Sequence, residues 1–221
     1  MKNIQSILDK VRRVARASFE NAVRLHEDAV LLFDEERIPS ALHTTALSIE
    51  ELGKYFLYEE VWWHNMSDPK WDEVEIQRWL RSTYSHTAKQ TWFAGQAKDF
   101  FVSKTVVQIL VTGELEQIKQ KSTYVGLPRK KIGVDFRKRL MTPFRASKKR
   151  TMDLITAVND YLIVLSLGIR KGAYMVELPE IDDLLAEQSF ERHFRELWPH
   201  MRPSTKRHIA KLEKLEDDPE R

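Results

Sequence analysis

SALHTTALSIEELGK, Ser40 to Lys54, is the most specific string in this chain and reads as a helix. Leu42, Ala46, Ile49, Gly53 and Phe56 recur three and four residues apart, which places them on one stripe of a helix running from Ala41 to about His64. Pro39 breaks the pattern upstream and Ser40 can cap it. Gly53 costs roughly 1 kcal/mol of helix propensity relative to alanine. A glycine kept in mid-helix at that cost marks a tight crossing with another helix.

Upstream, Ile4 to Arg37 reads as a long helix. Ala15, Ala22 and Ala29 recur at heptad spacing, with Leu25 and Leu32 beside them, and side chains this small let a neighbouring helix come close. After the turn NMSDPK at Asn65 to Lys70, the positions Ile76, Leu80, Tyr84, Thr87, Thr91 and Ala94 predict one helix from Trp71 to Leu110, with a kink near Gly95. Gly113 ends it. A short helix follows at Glu114 to Lys121, then a basic connection at Ser122 to Thr142, and a last bundle helix at Ser147 to Ile169. Pro179, Pro199 and Pro203 divide the remainder into short amphipathic pieces, Ile181 to Phe194 and Ser204 to Leu215. The expected fold is all-α: a helical bundle of about four long helices with additional short C-terminal helices. Residues 1–172 form the bundle, and 173–221 form a C-terminal helical appendage and charged tail.

Composition agrees with that class. With 42% hydrophobic residues, 221 residues are enough for one substantial core. Seven glycines and eight prolines are fewer than a turn-rich sheet protein needs. The absence of cysteine excludes disulfides, thiolate metal sites and cysteine nucleophiles, and fits a reducing compartment. The first residues, MKNIQSILDKVRR, do not have the form of a secretory signal, and the longest apolar stretch, Tyr161 to Leu167, is too short for a membrane span. A cytoplasmic location without membrane association is therefore expected. Net charge is only +3, yet Gln117 to Arg150 holds twelve basic residues against one acid, Asp135, with Tyr124, Phe136 and Phe144 interspersed. Such a block attracts polyanions, although a charge run can equally be a solvated face.

Within the segment WLRSTYSHTAK, Trp79 to Lys89, Arg81 and His86 stand five residues apart. A histidine exchanges protons near neutral pH, and the planar fork of an arginine fits a phosphate. Together they are the minimum equipment for cutting RNA without a metal. On one regular helix the two side chains would point roughly 140° apart, so a single helix does not aim both at one phosphate, whereas a twofold partner can. Competing chemistries lack their signatures: Glu-x-x-His, His-Glu-x-x-His, Gly-x-Ser-x-Gly and a Gly-rich phosphate loop are all missing from the sequence.

With Ser40 to Lys54 on its second helix, Arg81 to His86 on its third, YSHTAK at Tyr84 to Lys89 and KQKSTYVG at Lys119 to Gly126, the chain resembles the HEPN superfamily, and within it the AbiV-type abortive infection proteins. The resemblance spans about Ala15 to Ile169. It implies a homodimeric, metal-independent endoribonuclease of anti-phage defence, toxic when active, with the Arg81 and His86 pairs of both subunits converging at the dimer seam. RNA would be the substrate, no cofactor or metal is implied, and a phage-encoded activator or an inhibitory protein partner would set its activity.

The candidate catalytic residues are thus Arg81 and His86, with Glu51 in support, orienting one of them across a helix interface. The candidate RNA-binding residues are Lys89, Lys119, Lys121, Arg129, Lys130, Lys131, Arg137, Lys138 and Arg139. Glu50, Gly53 and Lys54 make up a structural motif on the second helix, Glu50 lying four residues before Lys54 in the orientation that favours an ion pair. The plainer alternatives are that His86 is an ordinary half-buried histidine, that Arg81 pairs with an acid, and that the second-helix charges are a solvated face. On those terms the chain would be a non-catalytic helical module binding RNA or protein in a phage-defence or toxin-antitoxin system.

Overall fold

The computed structural model describes residues 2–66, 70–97, 103–126, 135–137, 140, 142–143, 146–171 and 179–214. Among these, the secondary structure is entirely helical apart from an isolated bridge residue at Gly126. Helix α1 spans Lys2–Asp34, α2 Ile38–Met66, α3 Glu73–Leu80, α4 His86–Ala97, α5 Lys104–Val111, α6 Glu114–Thr123, α7 Lys148–Arg170, α8 Pro179–Ala186, α9 Gln188–Leu197 and α10 Pro203–Glu213. A 3-10 turn, Arg81–Tyr84, joins α3 to α4.

Helices α1 and α2 form a long antiparallel pair, connected by a tight turn in which Glu36 takes φ +57°. The alanine stripe of α1, Ala15, Ala22 and Ala29, is fully buried, and the backbone approach it allows is visible where Ser48 Oγ donates to the Ala22 carbonyl at 2.8 Å. Pro39 sits inside the first turn of α2 rather than before it, a position where its missing N–H costs nothing.

Helix α7 is the centre of the molecule. Leu154, Ala157, Val158, Leu162, Ile163 and Val164 are all buried, because α1, α2 and the C-terminal helices surround it on different sides. Its length and apolar composition would suit a membrane span, but most of it lies inside the fold, where a core helix has the same character. The described C-terminal residues belong to the same core. Ile181, Leu185, Phe194 and Leu212 join its main hydrophobic cluster, and buried Trp198 donates from Nε1 to Thr156 Oγ1 at 2.9 Å while meeting Phe33 edge-on. The segment from 173 onward, expected as an appendage, is therefore packed against α7 where it is described.

The single helix expected over Trp71 to Leu110 is not continuous. Asp72 caps α3 through a reciprocal bond pair with Glu75, the helix ends at Leu80, and Ser85 takes an extended conformation before α4 begins. The Ser85 hydroxyl accepts from the Ala88 N–H at 3.2 Å, so it closes the first turn of α4. The apolar spacing that suggested one helix carries through the break in sequence, yet Tyr84 is 87% exposed and its neighbour Thr83 is buried in its stead. At Gly95, where a kink was expected, α4 runs on to Ala97.

Candidate active site

Gly53 fixes the geometry. A Cβ at this position would stand 1.8 Å from the carbonyl oxygen of Lys89, so the backbones of α2 and α4 touch there and only glycine permits it. The crossing expected from sequence is thus the α2–α4 contact. It brings the first turn of α4, with His86, Lys89 and Gln90, over the face of α2 that carries Glu50.

Glu50 is buried and gathers these groups. Its Oε2 accepts from His86 Nδ1 at 2.6 Å, and its Oε1 accepts from Gln90 Nε2 at 3.1 Å and from Lys119 Nζ at 2.8 Å. The Lys89 ammonium lies 3.7 Å away. Lys119 comes from α6, where Glu116 also reaches its Nζ at 2.6 Å. Burial pushes the Glu50 pKa up, but the hydrogen bonds and charges of Lys119 and His86 outweigh it and hold the carboxyl below the usual range. The same network raises Lys119: burial works against its charge, and the two carboxylates more than offset that. Glu50 is therefore an anion and Lys119 a cation at neutral pH.

His86 is the most exposed member of this group, with its side chain 50% exposed. Donation from Nδ1–H to Glu50 selects the tautomer whose Nε2 carries the lone pair, and Nε2 has no hydrogen-bond partner among the described residues. Arg81 opens the 3-10 turn five residues earlier, exposed, its side chain without a hydrogen bond or ion pair among the described residues. The Arg81 to His86 spacing therefore crosses a helix break, and the 140° separation expected of one regular helix does not apply.

Glu50 and Glu51 exchange the roles expected of them. Glu51 pairs with Lys54 at 3.3 Å, and Glu50, rather than supporting Lys54, orients His86. The reason is angular. At about 100° per residue, Glu50 lies roughly 60° from Gly53 on the helix face that α4 covers, whereas Glu51 lies on the far side. Lys89 and Lys119, expected to contact phosphate, are buried against Glu50. Lys121 and Arg137 are exposed. Arg129, Lys130, Lys131, Lys138 and Arg139 lie outside the described residues. At the end of the basic block Lys148, Lys149 and Arg150 are each paired, with Glu36, Asp153 and Glu114.

One oxygen each of Glu50 and Glu116 and a nitrogen of His86 lie within 4.8 Å of one another, a spacing that could hold a metal ion. The Lys119 ammonium contacts both carboxylates at 2.8 and 2.6 Å, so it already supplies the positive charge a divalent ion would bring. Sequence reasoning missed Glu116, and it missed His43 on α2, whose Nδ1 lies 2.7 Å from Thr123 Oγ1.

Comparison with known proteins agrees with the all-α bundle. The family model HEPN_AbiV, described as AbiV, matches residues 10–158, and the chain belongs to that family. No curated protein and no solved structure matches it. The family suggests a HEPN-type function in abortive infection.

Proposed function

We propose that the protein is a metal-independent endoribonuclease of abortive infection, cleaving RNA at a site built from Arg81 and His86. The observation that carries this reading is the 2.6 Å contact from buried Glu50 to Nδ1 of a half-exposed histidine. A structural histidine has no need of an open Nε2, whereas a proton-transfer group has. Glu50 fixes the ring, and it compensates the charge that His86 carries when both ring nitrogens hold protons. Arg81, exposed and unpaired among the described residues, neutralises charge gathering on the phosphoryl oxygens. Attack of the ribose 2′-oxygen on phosphorus then expels the 5′-oxygen, leaving a 2′,3′-cyclic phosphate and a 5′-hydroxyl.

Two copies of the chain would complete the site, with the exposed turn Arg81–Tyr84 of each facing the other. Isologous contacts bring equivalent residues together at the axis, and Tyr84, 87% exposed, offers apolar surface there. RNA is the substrate. A phage-encoded activator or an inhibitory protein would govern when the site acts. Incubating purified protein with RNA tests the reading: His86→Ala and Arg81→Ala should each lower cleavage by about 100-fold or more with the fold retained. A protein that only binds RNA would tolerate loss of His86, and unchanged degradation by His86→Ala would overturn the assignment.

A further inference from the structure

Cleaving a phosphodiester through a 2′,3′-cyclic phosphate needs two proton transfers, one from the 2′-hydroxyl and one to the 5′-oxygen. His86 can perform one of them in a given protomer. A second imidazole is carried by the same two helices, α2 and α6, that supply Glu50 and Lys119. His43 lies seven residues before Glu50 on α2, two helical turns along and on the same face. Its ring reaches α6 one turn beyond Lys119, where Nδ1 meets Thr123 Oγ1 at 2.7 Å. The Thr123 hydroxyl also contacts the Lys119 carbonyl at 3.0 Å, and a carbonyl can only accept. Both contacts are satisfied when the hydroxyl proton goes to Lys119 and His43 Nδ1–H donates to the hydroxyl oxygen. The lone pair is then on His43 Nε2, which has no hydrogen-bond partner among the described residues.

The two imidazoles differ in what stands against them. Lys119 Nζ is 3.4 Å from His86 Nδ1, but Glu50 stands against the same ring nitrogen at 2.6 Å and offsets it. His43 has no carboxylate in contact among the described residues. Burial first, and then the Lys119 charge, hold its pKa below the ordinary value, against the more distant Glu50 on its own helix and Glu116 on α6. His43 is thus neutral where a base must be neutral, and the charge of a protonated His86 is compensated by Glu50. Of the two, His43 is the one held in the neutral form that a base requires, and His86 is the one with a carboxylate against its ring.

We infer that His43 is the general base of this site and His86 its general acid. His43 Nε2 takes the proton of the 2′-hydroxyl as the 2′-oxygen to phosphorus bond forms. The bond from phosphorus to the 5′-oxygen breaks, and His86 Nε2–H gives its proton to the departing oxygen. His43 ends protonated and His86 neutral, and water returns both to their starting forms. The inference rests on the RNA-cleaving reading above and specifies which residue moves which proton.

The test uses two substrates, RNA and the 4-nitrophenyl ester of uridine 3′-phosphate, whose leaving group departs without a proton. His86→Ala should be slowed about 100-fold or more on RNA yet come within about tenfold of the unaltered protein on the ester. His43→Gln should be slowed about 100-fold or more on both, mainly in kcat, and should lose the acidic limb of the pH–rate profile. Thr123→Val frees Nδ1 while sparing the imidazole, and should cost about tenfold in kcat at unchanged KM, a measure that holds even if His43→Gln unfolds. Cleavage of RNA by His43→Gln or Thr123→Val within about threefold of normal would overturn the inference, as would rescue of His43→Gln by the ester. If His86→Ala cleaves RNA normally, the ribonuclease reading itself fails instead.

Discussion

Glu50 Oε2 and His86 Nδ1 are 2.6 Å apart although 36 residues separate them in sequence, and the contact joins α2 to the first turn of α4. Replacing the carboxylate by an amide keeps the volume but removes the charge that compensates a protonated imidazole. Glu50→Gln should therefore lower kcat for RNA by about 100-fold with little change in KM, on the scale of losing the partner that orients a catalytic histidine. Glu51→Gln, which disturbs only the Lys54 pair, should stay within about twofold. Steady-state kinetics of the two variants on one RNA would check the pair, and equal losses would mean that Glu50 has no special part.

Gly53→Ala places a methyl group 1.8 Å from the Lys89 carbonyl, so α4 must shift away from α2. Overpacking of this kind costs roughly 1–3 kcal/mol. Because the shift also carries His86 away from Glu50, activity at a temperature where the variant remains folded should fall with stability. Urea denaturation paired with a cleavage assay measures both. An alanine variant as stable and active as the parent would show that the helices do not cross there.

Lys119 and Lys121 lie two residues apart and should behave oppositely. Lys119→Met leaves Glu50 and Glu116 without their shared ammonium, so kcat should fall, and the Glu50, His86 and Glu116 donors should gain affinity for Zn²⁺ in calorimetry. Lys121→Gln together with Arg137→Gln, both exposed, should raise KM with kcat retained. It should also flatten the salt dependence of RNA binding by roughly 0.7 unit of slope for each phosphate that is no longer neutralised. Zn²⁺ binding by the unaltered protein as tight as by Lys119→Met would contradict the role given to the ammonium.

Stability should depend on pH through two buried groups of α1 and α7 with opposite sign. His26, fully buried with Nε2 2.9 Å from Asn159 Oδ1, has its pKa lowered by burial to about 4 from 6.5. Its contribution is present above pH 6.5 and lost as pH falls toward 4. Asp160, bonded by Thr205 and the Arg202 N–H, has its pKa raised by burial to about 6 from 3.8. Its contribution is present below pH 3.8 and lost as pH rises through 6. The two oppose one another between about pH 6 and 4, at up to about 1.4 kcal/mol per pH unit each. Asp160→Asn should therefore be the more stable protein at about pH 7 and lose that advantage as pH falls from about 6 to 4. Chemical denaturation across that range decides, and a gap that does not narrow would contradict it.

Much of this arrangement is legible in the sequence, and the illegible parts have definite causes. Alanines at heptad spacing on α1 and the apolar run of α7 mark helices whose faces are set by burial, and Gly53 announces a crossing. The choice between Glu50 and Glu51 is also within reach, since a crossing at Gly53 buries the position three residues before it, not two. By the same reasoning His43, seven residues before Glu50, falls on that face. The break at Arg81–Tyr84 is harder to read, because Ile76, Leu80, Tyr84 and Thr87 keep helical spacing across it. Only Ser85, placed to cap α4, signals it. The engagement of Lys89 and Lys119 with Glu50 is a tertiary event, and a linear count of basic residues does not separate buried ammonium groups from exposed ones.

Metal-free RNA cleavage by a histidine held on Glu50 leaves its signature in the ends of the products. Purified protein is incubated with a defined RNA in excess EDTA, and the fragments are analysed by mass beside those from His86→Ala. The expected fragments end in 2′,3′-cyclic phosphate and begin with 5′-hydroxyl, form equally well in the chelator and are lost with His86→Ala. Cleavage that stops in EDTA, or that leaves 5′-phosphate ends, would contradict this mechanism.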